Sequence, residues 1–294
     1  MKQLQLVLIL VVVLTPLFIL LDPLESAQAQ HHRTTTTTAS IPTIMTISSV
    51  SNNINTSSNI QTIQNKTLNY YDNASGYLVY PVLNPNNNTQ KLPAVVMIHE
   101  WWGLNDNIKD MANMLAKEGY VVLAVDLYGE VATDPGRAME LSSSVRNNPE
   151  EAVANMQGAV NYLGSLENVN SSRIASLGWC FGGGQSLQLA LNSEEHPLAA
   201  TLLYYGTPLV TDKQELSKIK WPIQGIFGDK DQAIPIDSVR QFEQSLNELG
   251  ITNEIYIYPG VGHAFANPSG DNYAPKETAD AWKKTLVFLE KYTT

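Results

Sequence analysis

The chain is short of cysteine, of charge and of clustered cations, and each scarcity excludes something. Cys180 is the only cysteine among 294 residues, so no disulfide can form within the chain. Charged residues make up 16% against 44% hydrophobic, which leaves ample material for a core and excludes a wholly disordered protein. Lys and Arg number 18 against 28 Asp and Glu, for a formal net charge of −10. No basic cluster exceeds Lys283-Lys284, so a nucleic-acid surface is excluded as a main role. No internal repeat is present.

What the sequence does have begins at the N-terminus. Met1-Lys2 leads into an apolar run from Leu4 to Leu21, broken only by Gln5, Thr15 and Pro16. Asp22-Pro23 and the small-x-small triplet Ala27-Gln28-Ala29 follow. That order reads as a secretory signal over residues 1–29, or as a signal anchor if it is not cleaved. Either way the rest of the chain is expected outside the membrane, secreted or held at the outer face of the cell membrane. Residues 30–69 are rich in Thr, Ser and Asn, with Thr34 to Thr38 in a row, and carry almost no charge. They read as a flexible stalk. Asn-x-Ser/Thr sequons stand at Asn55, Asn65, Asn73, Asn87 and Asn170.

From residue 70 to 294 the pattern is that of one globular domain. Gly76 to Pro81 reads as an edge strand closed by its proline. Ala94 to Ile98 is an unbroken apolar run, as expected of a strand covered on both faces. Helical spacing of Ile108, Met111, Met114 and Leu115 predicts a helix capped by Asn105 or Asp106 and stopped at Gly119. Further strands are expected at Tyr120–Val125, Arg173–Gly178, Leu198–Tyr205, Pro222–Phe227 and Asn253–Tyr258. Further helices are expected at Pro149–Leu166, Gly183–Leu191, Ile236–Leu249 and Pro275–Tyr292. The alternation predicts an α/β class fold, with a mostly parallel central sheet and helices on both faces.

The chemistry concentrates in a few segments. Gly178-Trp179-Cys180-Phe181-Gly182 lies between a strand and a helix and matches the nucleophile-elbow pattern, with cysteine at the nucleophile. Glycines are needed there because side chains two residues either side of the nucleophile would strike the neighbouring strand and helix. The turn also sets the thiol at a helix N-terminus, which favours a thiolate. Such a nucleophile needs an acid and then a histidine further along the chain. Gly228-Asp229-Lys230-Asp231 offers two carboxylates after one strand, and Gly262-His263-Ala264-Phe265 offers the imidazole after the last. His31 and His32 fall in the stalk, and His196 in a surface turn. His99-Glu100-Trp101-Trp102-Gly103 follows the Ala94–Ile98 strand. There the backbone N–H groups of Trp101 and Phe181 would form an oxyanion hole, and Glu100 would be a carboxylate at the pocket rim.

Together the four segments resemble the dienelactone hydrolase family of the α/β-hydrolase fold, over about Gly76 to Tyr292. The resemblance implies a cysteine-dependent hydrolase of carboxylic esters or lactones, and the N-terminal signal implies its export. Its triad would be Cys180, Asp231 and His263, its intermediate a thioester, and it would need no metal or cofactor. It implies a resting thiol turned away from His263, with Glu100 displaced by substrate to take the thiol proton. Trp101, Trp102, Tyr128, Tyr204, Tyr205 and Phe265 are the expected pocket walls, favouring an apolar or aromatic ester. Members acting on dienelactone carry an arginine four residues after the histidine, where this chain has Asn267. Arg137 and Arg146 fall where a second such arginine would stand. The partner expected is a small-molecule ester or lactone bound by a monomer, with membrane contact only through the N-terminal anchor. A thioesterase or peptidase on the same fold, and a redox-sensitive binding protein without catalysis, are the competing readings.

Overall fold

Runs of Val, Ile and Leu without polar alternation leave a strand no face for water, and this chain has several. The computed structural model describes residues 60–83 and 91–294. Its strands are β1 (Ile60–Tyr71), β2 (Ala74–Leu83), β3 (Leu92–Ile98) and β4 (Val121–Val125), then β5 (Val169–Trp179), β6 (Ala200–Tyr204), β7 (Ile223–Gly228) and β8 (Asn253–Tyr258). The helices are α1 (Asp106–Lys117), α2 (Pro135–Asn147), α3 (Pro149–Ser165) and α4 (Phe181–Leu191), then α5 (Lys213–Leu216), α6 (Ile236–Glu248) and α7 (Pro275–Thr293). They build one eight-stranded sheet in the order β1-β2-β4-β3-β5-β6-β7-β8. The β1/β2 and β2/β4 pairings are antiparallel and the rest parallel. Every residue of β4, β6 and β7 is buried, which requires layers on both faces and bears out the expected α/β-hydrolase architecture.

Local chemistry explains the boundaries. Asn105 caps α1 by accepting from the Ile108 N–H at 3.2 Å, and Gly119 leaves the helix at φ +103°. α2 lies in a segment with no strong apolar stripe and is absent from the sequence reading. Its signal is the Asp134 cap, which accepts from Arg137 N–H at 3.0 Å, ahead of Pro135 at the first turn.

One boundary is corrected. The stalk expected over 30–69 gives up its last ten residues to β1, which pairs with β2 along most of its length. Gly76–Pro81 is therefore not the edge; β1 is. Ile63 and Leu68 supply the packing, while Gln64 to Thr67 between them are exposed, so the strand lacks a compositional signal. Pro81 is tolerated because β2 pairs with β4 only from Gly76 to Val79. The expected signal, and the stalk up to residue 59, lie outside the described residues. Among the described residues no helix is long and apolar enough to cross a membrane.

Candidate active site

Parallel strands end on one side, so the loops after β3, β5, β6, β7 and β8 share one rim. Those loops carry Glu100, Cys180, Tyr205, Asp231 and His263 respectively. Three of the four non-glycine residues with positive φ among the described residues lie there: Cys180 (+54°), Tyr205 (+36°) and Ala264 (+60°). Strain concentrated at one rim marks a place where geometry is held by its surroundings.

The elbow is held by crowding. A Cβ on Gly178 would lie 2.1 Å from the Gly182 carbonyl oxygen, and one on Gly182 2.4 Å from the carbonyl oxygens of Ile98 and His99. Both positions therefore admit only glycine. Cys180 N–H donates to the Tyr204 carbonyl at 3.0 Å, and its own carbonyl accepts from Thr207 N–H at 3.2 Å. The sulfur is thus fixed at the N-terminus of α4, half-buried.

His263 connects the two ends of the site. Its Nε2 lies 3.0 Å from Cys180 Sγ and its Nδ1 2.8 Å from Asp231 Oδ2. The Asp231 side chain is fully buried, and its other oxygen accepts from the N–H groups of Ala233 (2.8 Å) and Ile234 (3.1 Å). Burial alone would pull the imidazole down. The hydrogen bonds and negative charges of Asp231 and Cys180 on either side outweigh it and push His263 up to about 10. Asp229, the other expected carboxylate, instead accepts from Gly260 N–H at 2.7 Å and shapes the His263 loop. The backbone N–H groups of Trp101 and Phe181 have no partner among the described residues, as a pair of oxyanion donors requires.

Glu100 is 3% exposed. Its Oε2 accepts from Asn267 Nδ2 at 2.5 Å, while Oε1 has no partner among the described residues. Burial pushes the carboxyl up to about 7, against the opposing pull of His263, the Asn267 hydrogen bond and the nearby Tyr205 hydroxyl. His99, whose role the sequence reading left blank, braces this loop. Its Nε2 accepts from Leu127 N–H at 3.1 Å, which leaves the proton on Nδ1, 2.6 Å from the Glu100 carbonyl. Burial holds that imidazole below its ordinary value, outweighing its hydrogen bond to the Glu100 carbonyl and the charge of Asp126.

Several expectations are corrected. The thiol is not turned away from His263: its sulfur faces the imidazole, 3.0 Å from Nε2, while Glu100 is engaged by Asn267. Tyr204 is no pocket wall. It is buried on the other side of β6, where its hydroxyl bonds Thr285 Oγ1 at 2.7 Å and its ring packs on Trp179. Phe265 is likewise fully buried against Tyr205 and Tyr258. Tyr205 supports the site from beneath, its ring centroid 5.2 Å from that of His263. Trp101, Trp102 and Tyr128 do gather at the rim, packed on Ala132, Ala138 and Leu141. Arg137 is spent on Glu130 and Glu140 at the surface. Arg146 lies over the Phe181 ring, 5.5 Å from its centroid. Asn267 is not a free substrate contact on the Glu100 side, since its amide is committed there, but it also lines a cleft of about 370 Å³ with Trp102, Val131, Ala132 and Asp271.

Known proteins share this arrangement of chain. The family model described as the dienelactone hydrolase family matches residues 78–293. "Protein usf" of Aquifex pyrophilus is 32% identical over 69% of this chain and 89% of its own length. A provisionally named carboxymethylenebutenolidase of Saccharolobus solfataricus is 31% identical over 67% of this chain and 89% of its own. Among solved structures, a provisionally named dienelactone hydrolase from Klebsiella pneumoniae superposes with a TM-score of 0.67 at 25% identity, over 79% of this chain and all of that one. With the family model spanning almost the entire sheet and every loop of the rim, the chain belongs to the dienelactone hydrolase family and is a hydrolase of ester or lactone bonds.

Proposed function

We propose that the protein is an exported, cysteine-dependent hydrolase of uncharged carboxylic esters or lactones. The observation that carries this reading is the unbroken line from Cys180 Sγ through His263 to the buried Asp231 carboxylate. In the proposed reaction the Cys180 thiolate adds to the carbonyl carbon, and the carbonyl π pair moves onto oxygen, which the N–H groups of Phe181 and Trp101 receive. Collapse breaks the carbon–oxygen bond to the alcohol, and the His263 imidazolium protonates the departing alkoxide. The neutral imidazole, held by Asp231, then takes a proton from water as that water adds to the thioester. Release of the acid restores the thiolate and imidazolium.

The cleft beside Asn267, lined by neither Cys180 nor His263, favours uncharged groups. Trp102, Val131 and Ala132 offer apolar wall, Asn267 and Ser269 offer hydrogen bonds, and its one ionisable lining residue is the acidic Asp271. No lysine or arginine lines it among the described residues. Lactone cleavage is supported by the name of a relative from Bradyrhizobium, provisionally a 2-oxo-3-(5-oxofuran-2-ylidene)propanoate lactonase and 30% identical over 72% of this chain. Export is supported by the basic start, apolar run and Ala27-Gln28-Ala29 triplet of the N-terminus. A panel of p-nitrophenyl esters, lactones, acyl thioesters and peptide anilides tests the reaction, run on wild type and Cys180→Ala. Neutral esters or lactones should be cleaved by wild type alone. Faster cleavage of thioesters or anilides, or full activity in C180A, would overturn the assignment.

A further inference from the structure

A trans peptide unit is planar, with its C=O and N–H pointing in opposite directions, so whatever holds the carbonyl also aims the N–H. The Trp101 N–H belongs to the same peptide unit as the Glu100 carbonyl. That carbonyl is held by the ring of His99, whose Nδ1 lies 2.6 Å away, and by Gly103 N–H at 3.2 Å. Which ring nitrogen carries the hydrogen is set by the surroundings. Leu127 N–H can only donate and lies 3.1 Å from Nε2, so Nε2 accepts and the hydrogen of the neutral ring faces the Glu100 oxygen. The loop is pinned again at the Trp102 carbonyl, which accepts from Ala132 N–H at 2.9 Å. The same ring reaches the second oxyanion donor. His99 is fully buried, and its ring stacks on that of Phe181 with centroids 5.9 Å apart, while the Tyr128 ring meets it edge-on at 4.6 Å. The backbone closes the joint, because a Cβ on Gly182 would come within 2.4 Å of the Ile98 and His99 carbonyl oxygens.

We propose that His99 is a positioning residue for the reaction: its Nδ1–H holds the Glu100 carbonyl so that the Trp101 N–H points at the carbonyl oxygen of the substrate, and its ring registers that loop against Phe181, which supplies the other N–H. The inference rests on the proposed thiol reaction and adds to it the group that assembles the oxyanion site. A carbonyl that accepts two hydrogen bonds also polarises its own peptide, which makes the N–H of that peptide a stronger donor. Protonation of the ring would set a second hydrogen against the Leu127 N–H, and burial opposes it. With both ring nitrogens committed, His99 has no polar atom left for substrate. Its contribution is confined to the steps in which a carbonyl oxygen gains charge, namely addition of the thiolate to the ester and of water to the thioester.

Two substitutions separate the two bonds of the ring. His99→Gln can place an amide oxygen where Nε2 accepts from Leu127 N–H, but it has no donor at the Nδ1 position. His99→Asn can place an amide nitrogen where Nδ1 stands, and it lacks the acceptor for Leu127. The test measures kcat and KM for a neutral p-nitrophenyl ester beside the rate of Cys180 alkylation by iodoacetamide. Alkylation displaces iodide from a saturated carbon and develops no oxyanion, so its rate reads the sulfur and imidazole without the oxyanion site. H99Q should lose kcat by about 100-fold while KM and the alkylation rate stay close to wild type. H99N should keep most of the wild-type kcat. Where the unpaired Leu127 N–H unfolds H99N, the split between kcat and alkylation in H99Q decides alone. A purely structural role for His99 would lower turnover and alkylation together in H99Q, and that result overturns the proposal. So does wild-type kcat in H99Q, or a folded H99N that loses as much kcat as H99Q. Wild-type enzyme that still turns over ester after complete alkylation of Cys180 would instead sink the proposed reaction itself, whatever His99 does.

Discussion

Replacing Glu100 by glutamine should make the protein more stable at alkaline pH. The carboxyl lies at about 7 in the folded protein against an ordinary 4.5, so between those values the native state binds more protons than the unfolded chain. By linkage, stability is highest below 4.5 and falls as pH rises through 7. At about 1.4 kcal/mol for each pH unit, the buried carboxylate costs about 3 kcal/mol at pH 8. Glutamine has the same outline, and its oxygen can still accept from Asn267, so the substitution removes the charge without opening a cavity. The melting temperature of E100Q should therefore exceed that of wild type by about 6–12 °C at pH 8, and the two should coincide at pH 4.5. His263 displays the same sign, its native value being raised, but it is present in both proteins and largely cancels in the comparison. Differential scanning fluorimetry across pH 4.5–8.5 makes the measurement. A destabilised E100Q, or a difference that does not change with pH, would refute the reasoning.

Other expectations follow from the same geometry. Asp231→Asn removes the charge that lifts His263, so the imidazole should titrate lower and kcat/KM should fall by at least about 100-fold; an unchanged pH–rate profile would contradict this. Gly182→Ala would drive a methyl into the Ile98 and His99 carbonyls at the end of β3, and urea denaturation should report a loss of about 3 kcal/mol or more. Tyr204→Phe should cost about 1 kcal/mol through the lost Thr285 bond and leave KM unchanged, because that ring does not face the pocket.

The parts of this site that could be read from sequence are those whose constraint is local. The glycines two residues either side of Cys180 are demanded by the turn itself, Asp231 follows the buried strand β7, and His263 follows the last strand. The choice between Asp229 and Asp231 was not local, since both reach the loop after β8 and only the folded loop shows that Asp229 meets the Gly260 N–H and Asp231 the imidazole. The Glu100–Asn267 contact joins residues 167 apart in the chain, and no spacing rule reaches it. Aromatic residues misled for a related reason. Tyr204 and Tyr205 are adjacent, yet Tyr204 ends β6 facing α7, while Tyr205 turns out of the strand at φ +36° to lie beneath His263. The strand β1 escaped notice because its pairing comes from β2 and its own composition is that of a polar linker.

The central claim is that the sulfur of Cys180 carries the acyl group between substrate and water. Acid-quenching wild-type enzyme during turnover of a p-nitrophenyl ester, followed by peptide mass mapping, tests it directly. The account predicts an acyl mass on the peptide containing Cys180, absent in C180A and discharged on standing at neutral pH. Sustained turnover with that peptide unmodified, or with the acyl group on another residue, would contradict it.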